Sequence, residues 1–242
     1  MNLVGLYALL SVLIFRYLLK LDAMFFKSFI LGIILPSLLD SFFMIVSLFL
    51  SSLLPYIGYS FIFSHSLFVA LILSTLLYLI AEIRRNRYYR IAGGGLLLGF
   101  LAHIVFDLFF WIEPVYIFWP ILDKDLNITI AGMLFTHHLD DHKVAVYMKF
   151  CFEFLFLLFY AKFLIEILIK SRSSAKAIRV LNFYKNRQLN LFVLFFVLFF
   201  VFYCMGIDNL NLLVIIFNIA YFPSLLVIIL ITYKAKIVFL QR

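Results

Sequence analysis

The chain has 242 residues, 67% of them hydrophobic and 20% aromatic, with a mean hydropathy of +1.15. Ordinary soluble domains sit near half apolar, so this composition excludes a soluble globular protein and points to a polytopic membrane protein. Net charge is +8, but the basic residues fall in short loops between apolar runs, where they are topology signals and argue against a nucleic-acid surface.

A membrane-crossing helix needs about 20 apolar residues. Seven runs meet that need: 3–19, 28–54, 61–82, 91–112, 145–169, 190–206 and 210–232. They predict an all-α, polytopic transmembrane helix bundle of about seven spans, a single membrane domain over residues 1–242. The first run has no basic residues before it, and Arg16 comes only after its apolar stretch, so no cleavable signal is expected. The second contains Pro36, which predicts a kink or a division into two pieces. It also carries a polar stripe, Ser37, Asp40, Ser41, Ser47 and Ser51.

The third run has His65 near its start. The fourth sets Gly95, Gly99, His103 and Asp107 at four-residue steps, so these share one helix face. Small residues there let a second helix approach, and the polar stripe of the second run is the expected partner. The loop after the fourth run contains THHLDDHK, residues 136–143. In a helix its His138 and His142 would lie four apart, as would His137 and Asp141, a dense local pattern for a metal. The bland alternative is a solvated loop. The fifth run holds Glu153, four residues after Lys149, which can pair with it. The stretch 171–188 is either a short basic surface helix or a solvated loop. Cys151 and Cys204 fall in apolar runs without CxxC spacing and read as small buried hydrophobes. Asp208 lies in a tight turn, MGIDN, and is expected to be solvated.

Seven spans place four basic clusters on one side: Lys20 and Lys27; Arg84, Arg85, Arg87 and Arg90; the group from Lys170 to Arg187; and Lys234, Lys236 and Arg242. The positive-inside rule makes that side cytoplasmic, with the N-terminus out and the C-terminus in.

Ionisable residues inside spans are costly and mark function. His103 and Asp107, one turn apart, joined by His65 and Asp40 from neighbouring helices, form a first shell for a divalent metal such as Zn²⁺, Mn²⁺ or Fe²⁺. The alternative is a hydrogen-bonded His–Asp pair that only ties helices together.

FSHSLF around His65, then GFLAHIVFDLF, then VYIFWP, with LP at 35–36 before them, form an ordered set of motifs over about 30–122. This order resembles the inner-membrane metal-dependent hydrolases described as LexA-regulated or LexA-binding. That family's pattern runs LPDxDH, HRGxTHS, GxxxHxxxD and a closing Trp-Pro. His65 matches the His of the THS element, with Ser64 in place of its Thr. His103 and Asp107 match the HxxxD pair, and Trp119 and Pro120 the closing dipeptide. The HRG half is missing, with Phe61 and Ile62 in that region. LPDxDH has become LPSLLD, so Ser37 replaces its first Asp and Asp40 remains. Residues 123–242 add an outer loop and three further spans.

The resemblance implies a hydrolase in a bacterial-type inner membrane, or in a derived organelle membrane. A metal (Zn or Mn) on His65, His103 and Asp107 would activate water, with Asp40 as fourth ligand or general base. The implied substrate is an ester or phosphoester at the membrane, a lipid or lipid-linked molecule. Apart from the resemblance, the outer cluster His137, His138, Asp141 and His142 is expected on the same side of the membrane, where it could compensate for the lost motif residues. Two rivals stand beside this reading: an inactive relative serving as a scaffold or assembly subunit, and an ion- or proton-coupled transporter. Against the transporter, the sequence has no inverted repeat and no paired broken helices.

Overall fold

The computed structural model describes residues 4–18, 22–49, 65–110, 142–170, 175–204 and 210–234. Seven helices carry them: α1 (Val4–Leu18), α2 (Ala23–Phe49), α3 (Leu67–Arg84), α4 (Arg87–Phe110), α5 (His142–Lys170), α6 (Ala175–Cys204) and α7 (Leu210–Lys234). Among the described residues there is no strand, and the protein is an all-α membrane helix bundle. The helices correspond one for one to the seven apolar runs. Five contain stretches long and apolar enough to cross a membrane: Ala23–Val46, Leu67–Arg84, Arg87–Leu108, Ile178–Phe202 and Leu212–Tyr233. α1 supplies a shorter apolar stretch, Val4–Leu13. α5 is interrupted by Lys149, Glu153, Lys162 and Glu166, and much of it is packed inside the bundle.

Two expectations are corrected. Pro36 does not divide the second run; α2 continues through it. The proline leaves the Gly32 carbonyl without its usual helical donor. Of the stretch 171–188, the described part is neither a separate surface helix nor a solvated loop. From Ala175 it is the first half of α6, with Leu181, Tyr184 and Gln188 buried along one stripe. Exposed Lys176 and Arg179 stand off that stripe, so one helix serves both a basic end and a packed face.

Local chemistry fixes the α3–α4 hairpin. Ser66 caps α3, its side chain accepting from the Phe68 amide at 3.1 Å. Arg85 ends α3 in the left-handed region, φ 48°, and Asn86 then accepts from the Tyr88 amide at 2.9 Å to start α4. α4 runs back along α3, where the Ser74 hydroxyl donates to the Gly93 carbonyl at 3.0 Å.

α2 and α4 run parallel and nearly touch through their backbones. A Cβ on Gly95 would lie 2.5 Å from the Phe25 carbonyl oxygen, and one on Gly99 would overlap the Phe29 carbonyl. Gly32 meets the backbone of Leu96 in the same way. Such an approach is open only to glycine, and in lipid it supplies the van der Waals contact that holds helices together. On the far side, aromatic rings from α5, α6 and α7 form the main core. Phe150 stacks on Phe217 with centroids 4.3 Å apart, and Phe154, Phe195 and Tyr221 surround them. α3 and α6 turn rows of large apolar side chains outward, including Ile72, Leu76 and Leu79, and Val193, Val197 and Phe200. Rows of that kind are a lipid-facing surface.

Candidate metal centre

The centre forms at the end of the bundle opposite the basic α3–α4 turn. Its residues come from three places. His65 immediately precedes the Ser66 cap, so the cap that starts α3 also fixes the direction in which His65 enters the bundle. His103 and Asp107 lie one turn apart near the end of α4. Asp40 is on α2, which the glycine contacts press against α4.

His65 Nε2, His103 Nε2 and Asp107 Oδ2 form a closed triangle. The two imidazole nitrogens are 3.2 Å apart, His65 to Asp107 is 3.2 Å, and His103 to Asp107 is 3.1 Å. All three residues are buried, His103 and Asp107 at 0% exposure. Metal ligands at about 2.0–2.2 Å on a tetrahedral ion stand about 3.3–3.6 Å from one another, and the triangle is only slightly tighter.

The remaining atoms of each ligand are also held. His103 Nδ1 is 2.6 Å from the Ile33 carbonyl, which can only accept; Nδ1 therefore carries the proton and, in the neutral ring, Nε2 presents a lone pair. The Tyr7 hydroxyl donates to Asp107 Oδ1 at 2.9 Å, leaving Oδ2 to the centre. His65 Nδ1 faces Asp40 Oδ2 at 3.8 Å. Backing of this kind, by a carbonyl behind His103 and a hydroxyl behind Asp107, orients metal ligands and raises their basicity.

Protons satisfy the triangle in part, because Nε2–H groups of His65 and His103 can each donate to Asp107 Oδ2. With neutral rings and His103 protonated on Nδ1, one imidazole proton has to serve three mutual contacts. With both rings charged, two N–H groups face each other at 3.2 Å. A cation satisfies all three donor atoms at once. Two imidazoles and a carboxylate suit Zn²⁺ or Mn²⁺. Among the described residues this is the group of His, Cys, Asp and Glu side chains arranged to hold a metal ion.

The other expected residues fall elsewhere. Asp40 stands behind His65, on the side away from the triangle. Glu153 does not pair with Lys149: its Oε1 accepts from the Gly5 amide and from the Tyr221 hydroxyl, each at 2.8 Å, and its Oε2 has no partner among the described residues. Tertiary packing places those two donors nearer than the lysine. Cys151 is a free, buried thiol. His137, His138, Asp141 and Asp208 lie outside the described residues, as do Trp119 and Pro120, and His142 is the first residue of α5.

Sequence reasoning missed Tyr7 and the Ile33 carbonyl. One tyrosine among 14 carries no mark of its role, and a backbone carbonyl carries none at all. The Ser66 cap was legible as a serine directly before an apolar run. In comparisons with family models, curated proteins and solved structures, nothing matches this chain.

Proposed function

We propose that the protein is a membrane-embedded, metal-dependent hydrolase acting on an ester or phosphoester of a lipid or lipid-linked substrate. The observation that carries this reading is the convergence of His65 Nε2, His103 Nε2 and Asp107 Oδ2 within 3.2 Å of one another. Three protein ligands with an open fourth position are the mark of a catalytic zinc site, whereas structural sites are closed by four. A divalent ion bound there supplies Lewis acidity and lowers the pKa of a water molecule.

The chain's own residues do the rest. The Ile33 carbonyl keeps His103 in the tautomer that ligates through Nε2. Tyr7 holds Asp107 so that one carboxylate oxygen is committed to the centre. The Asp40 carboxylate stands 3.8 Å from His65 Nδ1 and favours, by its charge, a proton on that nitrogen, which turns Nε2 to the centre; this orienting role replaces that of fourth ligand. Burial excludes bulk water from the ligands and strengthens their hold on a charged group. The basic α3–α4 turn lies at the other end of the bundle, which by the positive-inside rule puts the centre toward the outer face of a bacterial-type inner membrane or a derived organelle membrane. A centre at that depth is reached from the headgroup region, where ester and phosphoester bonds of lipids lie.

Metal analysis of detergent-purified protein tests the reading. About one divalent ion per chain is expected, and His103→Ala should lose it. A chain without stoichiometric metal is a scaffold instead. Labelling of single cysteines tests orientation: Arg84→Cys and Asp140→Cys should react from opposite sides.

A further inference from the structure

The hydroxyl of Ser37 has no hydrogen-bond partner among the described residues, although the residue is only 4% exposed. Other helical hydroxyls in this chain behave differently. Ser11, Ser224 and Thr232 each donate to the carbonyl four residues earlier, those of Tyr7, Ala220 and Ile228. That is the ordinary refuge of a serine or threonine inside an apolar helix. For Ser37 the corresponding carbonyl is that of Ile33, and His103 Nδ1 already occupies it at 2.6 Å. The contact that fixes the histidine tautomer thus takes the acceptor that the serine would use.

The register of α2 shows where this hydroxyl stands. α2 reaches His103 through Ile33 and His65 through Asp40. Ser37 is four residues after the first and three before the second, so it lies on the same face, between the two imidazoles. The parallel pairing of α2 with α4 keeps a constant offset: Phe25 with Gly95, Phe29 with Gly99, Ile33 with His103. One more turn sets Ser37 level with Asp107. An unpaired hydroxyl is costly in a buried position, and the register of α2 puts this one on the face that meets His103 and His65.

We propose that Ser37 is a positioning residue: its hydroxyl donates a hydrogen bond to the oxyanion or other anionic group that takes the open position beside His65, His103 and Asp107. The inference rests on the metal reading above and, within it, favours a phosphoester, whose anionic oxygen is already present in the substrate. A neutral hydroxyl adds no charge to the centre. It selects for the group that occupies it.

The test uses the full-length protein in detergent, loaded with cobalt(II), whose visible spectrum reports the groups around the ion. Azide is the probe anion, titrated into the unmodified protein, Ser37→Ala and Ser37→Thr. Cobalt stoichiometry should be equal in all three. The azide dissociation constant should rise about tenfold in Ser37→Ala and return to within about twofold of the unmodified value in Ser37→Thr, as expected for one hydrogen bond to a charged group. Equal azide affinity in all three proteins overturns the role of Ser37 and leaves the metal reading standing. Loss of cobalt from Ser37→Ala does the same, because the serine would then be part of the metal's own support. Failure of the unmodified protein to bind cobalt overturns both.

Discussion

Asp107 and Glu153 are both carboxylates buried inside this bundle, and their surroundings differ in kind. Glu153 is met by neutral donors, the Gly5 amide and the Tyr221 hydroxyl, which tie α5 to α1 and α7. Asp107 has one such donor, Tyr7, on one oxygen, while its other oxygen faces two imidazole nitrogens. A carboxylate among donors is a helix tie. A carboxylate facing two imidazole nitrogens can share a cation with them. The functional group of the side chain is the same in both places; what differs is what surrounds it. α1 touches both regions through residues two positions apart, Gly5 and Tyr7, so the first helix is common support for the tie and for the candidate centre.

The isosteric pair Asp107→Asn and Glu153→Gln should break this comparison or establish it. Each removes one carboxylate at nearly constant volume. Asp107→Asn should abolish binding of zinc at micromolar concentrations, because a charged ligand is lost. Glu153→Gln should leave zinc affinity within about twofold, since no ligand or backing group is touched. Competition against a chromophoric chelator measures both, and equal losses would dissolve the distinction.

A smaller effect is expected from the groups behind the ligands. Tyr7→Phe and Asp40→Asn should each weaken zinc affinity by about 10- to 100-fold while keeping one site per chain. Tyr221→Phe, which removes the analogous hydroxyl at Glu153, should leave that affinity unchanged. A matching loss in Tyr221→Phe would mean that the two regions act as one.

The smallest effect concerns stability. Glu153→Leu strands the Gly5 amide and the Tyr221 hydroxyl in the interior, at a cost of about 1–3 kcal/mol for each buried donor left without a partner. Glu153→Gln keeps an acceptor for them and should cost less than about 1 kcal/mol. Thermal unfolding in detergent separates the two. If Gln destabilises as much as Leu, the negative charge itself is required at 153 and the simple tie is not its role.

The sequence by itself determined the class of this protein. Apolar runs of membrane-crossing length appear in composition alone, because the bilayer demands internally bonded backbone and apolar surface over a fixed thickness. The four-residue steps of Gly95, Gly99, His103 and Asp107 were equally legible, because helical periodicity alone puts them on one face. Only the tertiary structure decided which lone pairs meet. His65 and His103 are 38 positions apart, and Tyr7 and Asp107 are 100 apart. Nothing local in the sequence fixes such distances; the glycine-lined approach of α2 to α4 and the cap at Ser66 do. Lys149 looked like the partner of Glu153 because helical spacing permits the pair, yet three-dimensional packing offered two other donors first. Asp40 looked like a ligand because it is ionisable and close in the motif order, yet α2 holds it behind His65. Spacing along one helix is a property of the chain. Which atoms a side chain faces is a property of the neighbouring helices, and these are brought together by packing that local sequence does not record.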